Sequence, residues 1–350
     1  MMNTQENSPS RIRDAAHLED LLSAPTDRVI ETVRQTEGDF LVLGAAGKMG
    51  PSLSRMLRRA LDAAGQKSRR VIAVSRFSSP AAEPEFNLHG VETIRADLLD
   101  PAQLAALPDA PNVVYMAGMK FGATGQAGLT WAMNAYLPGR VADKYHRSRI
   151  VAFSTGNVYG LSPVHLGGSV ETDDLQPTGE YAMSTLGRER MFEHFSAVHG
   201  TRAAVIRLNY AVEMRYGVLH DIAAKVWHGH PVDVSMGCVN VIWQGDANAM
   251  SICALADATS PPMLLNVAGP ETLSVRRIAE TFGRLFDKPV NITGQEITTA
   301  LLNNGQLAHR LYGYPRVPVA QILRWTADWL ATGGAALNKP THFEARDGKF

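Results

Sequence analysis

A glycine-rich turn between a predicted strand and a predicted helix constrains this chain more than any other feature. The run Phe40–Leu43 is wholly apolar and stops at Gly44, and a helical pattern follows over 51–64. Gly47 and Gly50 complete the spacing GxxGxxG in the segment FLVLGAAGKMG. In this context the first glycine permits a tight turn, the second lets the backbone approach a pyrophosphate, and the third lets helix and strand pack closely. The amides and dipole of the helix N-terminus favour phosphate, so the turn predicts a dinucleotide site.

Short apolar runs alternate with helical patterns along the N-terminal part of the chain. The predicted strands are 40–43, 71–74, 91–94, 113–116, 150–153 and 203–208, and the predicted helices between them include 103–107, 129–146 and 180–198. Buried strands separated by helices indicate a parallel sheet covered on both faces. Right-handed crossovers then give a doubly wound topology. The predicted fold class is α/β, a Rossmann-type doubly wound parallel sheet with a smaller α+β substrate-binding lobe.

The change of pattern along the chain predicts four parts. Two short helices are expected within 1–37, an N-terminal helical extension whose first ten residues look disordered. Residues 38–208 form the predicted NAD(P)-binding Rossmann domain. Residues 209–335 form mainly the substrate-binding lobe, with 238–256 returning to the first domain. Residues 336–350 are predicted to be a flexible tail.

Composition and charge argue against several classes of partner. Lys and Arg number 34, as do Asp and Glu, so the formal charge is zero, whereas nucleic acids and anionic membranes attract a basic surface. The chain shows neither an apolar signal segment nor an apolar stretch of the roughly 18 residues that a transmembrane helix needs. Cys238 and Cys253 suit a reducing compartment, and the histidines form no metal-binding signature. We therefore expect a cytoplasmic protein that binds a small molecule and no metal.

The end of the second predicted strand bears on which dinucleotide is bound. An NAD site usually places a carboxylate there for the ribose 2′-hydroxyl, but this strand ends in Ser75 and Arg76 follows. A guanidinium without the acid suits a 2′-phosphate, and Lys48, beside Met49 in the glycine turn, adds a second cation. The pattern favours NADP, with NAD as the alternative, since Arg76 could also stack on adenine or face solvent.

Further segments resemble the extended short-chain dehydrogenase/reductase superfamily, in particular the NAD-dependent epimerase/dehydratase family and its UDP-galactose 4-epimerases. The resemblance runs from about Phe40 to Leu330 and rests on the glycine spacing, DLLD, VVYMAGMKFG, FSTGNVYG, WQGDANA and RLYGYP. In UDP-galactose 4-epimerases a lysine at the Lys120 position reaches the cofactor phosphates. The resemblance implies that further cofactor-binding residues are Asp97, Leu98, Ala117, Gly118, Lys120, Asn134 and Ser154.

The resemblance also implies an active site built from a hydroxyl residue, a tyrosine and a lysine. Thr155 takes the hydroxyl position and Tyr181 the proton-transfer position, but Thr185 stands where the lysine would lower the tyrosine pKa. A neutral hydroxyl cannot do this, whereas Arg188 can share a helix face with Tyr181 and Lys120 lies on a loop expected at the cofactor. Two alternatives stay open: Arg188 as a solvated surface residue, and Tyr181 as a buried tyrosine of a non-catalytic protein.

The substrate side departs from the nucleotide-sugar enzymes of the superfamily. In those enzymes an arginine shortly before the aspartate at the Asp246 position grips a diphosphate, and Val239 stands in its place here. Because valine cannot neutralise a diphosphate, we expect a sugar-like compound or hydroxy acid other than a nucleotide sugar. The predicted substrate-binding residues are Asn157, Asn209 and Arg215, with Arg215 against a carboxylate; an ordinary polar surface loop is the alternative.

Two hypotheses of function follow from these residues. The first is an NAD(P)-dependent oxidoreductase or epimerase acting at a carbinol or carbonyl carbon, with Tyr181 moving the proton and Thr155 holding the oxygen. The second is a non-catalytic NAD(P)-binding sensor or scaffold with the same fold, in which turnover was lost with the lysine. By analogy with the superfamily we also expect a homodimer through the two long helices predicted at 129–146 and 180–198.

Overall fold

Two capped helices precede the main body of the molecule. The computed structural model describes residues 9–80, 82–120 and 125–348. Helix α1 (Ala15–Leu22) is capped by the Asp14 carboxylate, and helix α2 (Asp27–Gln35) is capped by the Thr26 hydroxyl. These are the two short helices that the sequence predicts, and most of the segment that looks disordered in the sequence lies outside the described residues.

A seven-stranded parallel sheet forms the centre of the molecule. Its strands in chain order are β1 Phe40–Leu43, β2 Val71–Ser75, β3 Glu92–Arg95, β4 Asn112–Tyr115, β5 Arg149–Thr155, β6 Ala203–Leu208 and β7 Met263–Val267. The spatial order is β7-β6-β5-β4-β1-β2-β3, and all neighbouring pairs are parallel. The predicted doubly wound α/β fold is therefore confirmed.

Strand β7 corrects the division of the chain that the sequence predicts. The sequence pattern assigns its residues to the smaller lobe, but they form an edge strand of the central sheet. Met263 lies opposite Ala204 and Val267 opposite Leu208, so β7 extends the sheet beyond β6. A long insertion separates these two strands in the sequence, and the strand–helix alternation that reveals the other strands is lost there.

Helices cover both faces of the sheet. They are α3 Gly50–Ala63, α4 Ala82–Leu88, α5 Pro101–Ala106, α6 Ala127–Trp131, α7 Leu137–Lys144, α8 Gly179–His199, α9 Val218–Trp227, α10 Gln244–Cys253, α11 Val275–Phe286, α12 Gln306–Tyr312 and α13 Val319–Ala331. One apolar core joins the sheet to α2, α3 and α10, and the other joins it to α5, α7 and α8. A π-helical turn, Ala132–Tyr136, separates α6 from α7, so the single helix predicted over 129–146 is divided into three segments.

The smaller lobe has its own apolar core beside the sheet. Helices α9, α11 and α13 pack together, with the rings of Trp243 and Trp325 5.5 Å apart between their centroids. Paired two-residue strands complete the lobe: Ser162–Pro163 with Thr299–Ala300, Ala211–Val212 with Ile242–Trp243, Val232–Asp233 with Ile292–Thr293, and Cys238–Val239 with Leu273–Ser274. The C-terminal segment differs from the flexible tail that the sequence predicts, because Phe343 is buried in this core.

The order of the strands positions the functional cleft. The order in which successive strands are added to the sheet reverses between β1 and β4, and doubly wound folds bind their ligands at this point, at the carboxyl ends of the strands. Gly44 ends β1 with a positive φ of 83°, and a Cβ there would lie 2.5 Å from the Ala117 amide nitrogen. At Gly50 a Cβ would lie 2.0 Å from the Ala45 carbonyl oxygen. Both positions require glycine, as the sequence motif predicts, and Ala117 packs on the turn.

Candidate active site

A cleft of about 870 Å³ lies at the carboxyl edge of the sheet. The smaller lobe and the C-terminal segment form its other walls. It brings together most of the predicted site residues: Gly44, Gly47, Lys48, Met49, Gly50, Arg76, Gly118, Lys120, Ser154, Thr155, Asn157, Tyr181, Arg188 and Asn209. Residues that are distant in the sequence therefore share one site.

The glycine turn presents its backbone to the cleft. A Cβ added to Gly47 would lie an ordinary 3.5 Å from the Gly44 carbonyl oxygen, so internal packing does not explain this glycine. Helix α3 begins beside it, with Pro51 in its first turn and Met49 at its N-cap. The first amides of a helix have no partner within the helix and carry the positive end of its dipole. The turn thus fits a pair of phosphates, which supports the dinucleotide site.

The turn after β2 places the predicted cation Arg76 in the cleft. The turn after β3 brings Leu99 to the cleft instead of the predicted Leu98. Arg76 lines the cleft, and Arg95 holds that turn by donating to the Arg76 carbonyl at 2.7 Å. Ser75 ends β2 beside it. The Asp97 carboxylate accepts from the Leu99 amide at 3.0 Å and so shapes its own turn. Leu98 is buried in the core, and Leu99 lines the cleft in its place, which corrects the prediction.

Asn134 holds the loop after β4 rather than lining the cleft. Its side chain accepts from the Met119 amide at 2.8 Å and donates to the Met119 carbonyl at 2.9 Å. It also accepts from Arg188 at 3.0 Å. A Cβ on Gly118 would meet the Arg188 guanidinium, so a side chain at this position would displace the arginine from Asn134. The predicted cofactor role of Asn134 is therefore indirect: it positions the loop that carries Lys120.

Tyr181 lies in the first turns of α8 with Thr155 at its hydroxyl. Burial raises the pKa of Tyr181, and this outweighs the hydrogen bonds with Thr155 and Thr185 and the charge of Arg188, all of which lower it. The phenol therefore keeps its proton at neutral pH. Thr185 is buried, and its hydroxyl donates to the Tyr181 backbone carbonyl at 2.7 Å. The arrangement suits a proton donor, with a second hydroxyl to hold the acceptor oxygen.

Two cations stand near Tyr181 in place of the missing lysine. Arg188 is only 6% exposed and donates to the Phe153 carbonyl and to Asn134, so the alternative of a solvated surface residue is wrong. Lys120 reaches from the β4 loop, with its Nζ 5.7 Å from the centroid of the Tyr181 ring. Burial lowers the pKa of Lys120 to about 8. Thr185 is neutral, whereas Arg188 carries a positive charge and is held in place by its hydrogen bonds to Phe153 and Asn134.

A buried ion pair beside Ser154 was not predicted from the sequence. Arg207 on β6 and Glu189 on α8 lie 2.7 Å apart between Nη2 and Oε2, with side chains 2% and 0% exposed. The Ser154 hydroxyl also donates to Glu189. Ser154, predicted as a cofactor contact, thus directs its hydroxyl into this network, although it also lines the cleft. The network ties the helix that carries Tyr181 to the strand that carries Thr155.

On the substrate side the structure supports two predicted positions and corrects a third. Asn157 and Asn209 line the cleft, and Asn209 donates to Asn240 at 2.7 Å. The Arg215 guanidinium instead pairs with Glu213 at 3.0 Å and with Glu19 at 2.7 Å. It lines a separate cavity of about 250 Å³, so its predicted contact with a substrate carboxylate is not supported by its position. Glu19 is distant from Arg215 in the sequence, and Glu213 lies in an irregular loop. The sequence therefore does not reveal that these carboxylates lie close to Arg215.

Several cleft residues are not among the site residues predicted from the sequence. They include Met116, Met119, Tyr210, Tyr216, Gln244 and the C-terminal segment 338–342. Aromatic residues after β6 could have been suspected from their place in a loop at the carboxyl edge of the sheet. The C-terminal segment could not, because its position depends on packing against the smaller lobe.

The described residues contain neither a metal-binding cluster nor a helix that could span a membrane. Across 9–80, 82–120 and 125–348, His, Cys, Asp and Glu side chains do not gather in threes that could hold a metal ion. In the same ranges, no helix combines the length and apolarity needed to cross a membrane.

Comparisons with known proteins agree with this geometry. The model of the NAD dependent epimerase/dehydratase family matches residues 40–220. A comparison with curated proteins gave no match. Similar solved structures include MoeE5 in complex with UDP-glucuronic acid and NAD, at 19% identity and a TM-score of 0.67 over 85% of this chain and 100% of that chain. UDP-glucuronic acid 4-epimerase from Bacillus cereus (17%, TM-score 0.69) and UDP-glucose 4-epimerase from Thermotoga maritima (16%, TM-score 0.70) each cover 84% of this chain and 99% of their own. At these identities the similarity shows the fold.

Proposed function

Because this chain belongs to the NAD-dependent epimerase/dehydratase family, we propose that it is an NAD(P)-dependent epimerase or oxidoreductase acting at a carbinol or carbonyl carbon of a sugar-like substrate. The observation that carries the proposal is the Tyr181–Thr155 pair in the cleft that also holds the glycine turn. A bound nicotinamide would supply hydride exchange at the substrate carbon. Residues of this chain would bind the cofactor phosphates, hold the substrate and transfer the proton.

The side chains divide the proton chemistry between them. Tyr181 donates a proton to the substrate oxygen as that oxygen becomes a hydroxyl, and takes one back in the opposite direction. Thr155 holds the same oxygen. The fixed positive charge of Arg188 favours the tyrosinate that forms when the proton leaves, because it lowers the pKa of Tyr181 against the effect of burial. Arg188 thereby assumes part of the electrostatic role of the absent lysine.

For the substrate we propose an anionic sugar-like compound, with nucleotide sugars included. Val239 cannot neutralise a diphosphate, and its side chain is buried in the core of the smaller lobe. The cleft nevertheless contains Lys48, Lys120 and Lys339, which supply the positive charge from other places. UDP-sugars are bound in several structures of the same fold. Sugar acids and hydroxy acids meet the same charge requirement.

One observation favours the sensor or scaffold as a second candidate. Thr185 bonds to the backbone of its own helix, and no lysine follows Tyr181 at that position. A protein of this kind would bind NAD(P) without exchanging hydride.

The decisive experiment is a turnover assay on the purified protein with Tyr181→Phe as its control. The protein is incubated with NAD(P) and, separately, UDP-glucose, UDP-glucuronic acid and free sugar acids, and products are identified by NMR. Conversion of any of them by the wild type and not by the variant supports the enzyme. NAD(P) binding without conversion across the panel supports the sensor.

We also propose that NADP is the preferred cofactor, with Arg76 at its 2′-phosphate. Arg76→Asp removes a charge-assisted contact worth about 1.5–3 kcal/mol and adds a carboxylate that suits the ribose hydroxyl. NADPH binding should weaken about 10–100-fold while NADH binding holds or improves, as measured by calorimetry. Arg190→Ala, at an exposed arginine of α8, is the matched control. Equal affinity of the wild type for NADPH and NADH would contradict the proposal.

A homodimer through α7 and α8 and the adjoining π-helical turn is the proposed assembly. Tyr136 and Met183 are 54% and 38% exposed on these elements, so their side chains are accessible to a partner. Light scattering should give twice the mass of one chain. Met183→Asp should shift the protein toward the monomer, and a monomeric wild type would refute the assembly.

A further inference from the structure

The C-terminal segment 338–342 lines the same cleft as Tyr181 and the glycine turn. Thr341 donates to the Asp221 carboxylate of α9 from both its amide, at 2.7 Å, and its hydroxyl, at 2.6 Å. Before the segment, the Leu337 amide donates to the Arg215 carbonyl at 3.0 Å, and after it Phe343 is buried. The segment is thus anchored on both sides, and Lys339 stands between the anchors at the mouth of the cleft.

Three lysines from distant parts of the chain meet in this cleft. Lys48 comes from the glycine turn, Lys120 from the loop after β4, and Lys339 from the C-terminal segment. The Lys48 Nζ lies 2.9 Å from the centroid of the Tyr216 ring, and Lys120 lies beside Tyr181 as described above. Lys120 therefore adjoins the proton-transfer residues, and Lys120 and Lys339 are close enough to Lys48 for their charges to act on it.

The positive charges of the three lysines repel one another, and a bound anion would reduce this repulsion. Burial, followed by the charges of Lys120 and Lys339, lowers the pKa of Lys48 to about 7. The carboxylates of Asp221 and Glu213 raise this pKa but do not outweigh the lowering effects. An anion within the cluster would favour the charged form of each lysine, so its binding energy includes relief of this repulsion.

We propose that the C-terminal segment is part of the substrate site and that Lys339, together with Lys48 and Lys120, binds a phosphate or carboxylate group of the substrate. This inference rests on the proposed function, since it names the substrate group that the same cleft receives. A lysine ammonium is a compact charge on a flexible stem and suits either anion. The cluster also supplies the cation that is missing at Val239.

The position of Lys339 distinguishes substrate from cofactor. Arg76 and Leu99 mark the end of the cleft after β2 and β3, where the adenosine half of a dinucleotide is expected. Lys339 belongs to a segment anchored on α9 of the smaller lobe. Its charge therefore reaches the cleft from the side of the smaller lobe, the part of the chain predicted to bind the substrate.

The test measures anion binding with the cofactor site already filled. Protein saturated with NADPH is titrated with inorganic pyrophosphate by calorimetry, for the wild type, Lys339→Ala, Lys339→Arg and Lys67→Ala. We expect Lys339→Ala to weaken pyrophosphate binding about 5–10-fold, as the loss of one charge-assisted contact at an accessible site implies. Lys339→Arg should stay within about twofold of the wild type, because the charge is kept. Lys67 is an exposed lysine at the amino edge of the sheet, so Lys67→Ala should leave the pyrophosphate affinity unchanged.

Two outcomes would overturn the inference. One is unchanged pyrophosphate affinity in Lys339→Ala, and the other is an equal loss of NADPH affinity in the same variant, which would assign the lysine to the cofactor. Neither depends on turnover. If the variant loses pyrophosphate as expected while the wild type converts no substrate, the anion site stands and the proposed enzymatic function fails by itself.

Discussion

Replacing Tyr181 with phenylalanine is expected to lower kcat by about 10²–10⁴-fold, the usual contribution of a positioned acid or base. The phenol is partly buried in the cleft and hydrogen-bonded to Thr155, and desolvation keeps its pKa above the ordinary value, so the wild type holds the transferable proton throughout neutral pH. Phenylalanine fills the same space without that proton. Steady-state rates with the substrate found in the turnover assay, together with NADPH affinity by calorimetry, give the measurement.

The matched control is Tyr145→Phe. Tyr145 is also buried, but it does not line the cleft, and its hydroxyl donates to the Pro108 carbonyl at 3.1 Å. We expect its loss to affect stability slightly and kcat hardly at all. A Tyr181 variant that retained full turnover while binding NADPH normally would remove the proposed mechanism, and a variant that no longer bound NADPH would point to a structural role for the tyrosine.

Glu189→Ala is expected to destabilise the fold by about 3–5 kcal/mol, because it leaves the buried Arg207 guanidinium without its counter-charge. Burial by itself would lower the pKa of Arg207, but the hydrogen bonds and charge of Glu189 more than reverse this. Removing Glu189 therefore exposes the full cost of burying a cation. Urea denaturation of the wild type and the variant measures the change in the free energy of unfolding.

Two further variants separate this effect from general damage to α8. Glu193→Ala removes a glutamate of the same helix whose partner Arg190 is half exposed, and it should cost no more than about 1 kcal/mol. The double variant Glu189→Leu with Arg207→Met removes both charges and should recover a large part of the loss. If Glu189→Ala proved as mild as Glu193→Ala, the buried pair would not hold α8 to the sheet in the way described.

The sequence predicted the framework of the site because the signals that carry it are local. An apolar run that stops at Gly44 and a helix that begins after Gly50 impose a strand, a turn and a helix on their neighbours alone. The same holds for the other predicted strands, whose apolar residues are mostly buried except in the edge strand β3. Tyr181 and Thr155 were recognisable for a related reason, since their short motifs occur at fixed places in this family.

Which side chains meet was decided by the tertiary structure, since charge partners are chosen by distance in space. From the sequence Arg188 could face solvent and Arg215 could face a substrate, yet Arg188 is buried against Asn134 and Arg215 pairs with Glu213. Asn134 is distant from Arg188 in the sequence, and Glu213, although two residues from Arg215, precedes it in an irregular loop where no periodic pattern reveals the pairing. The C-terminal segment shows the same limit: its polar composition suggests a loose end, and only the burial of Phe343 and the carboxylate of Asp221 bring Lys339 to the cleft. Local backbone conformation depends on neighbouring residues, whereas a cluster of like charges forms only when the whole chain is packed.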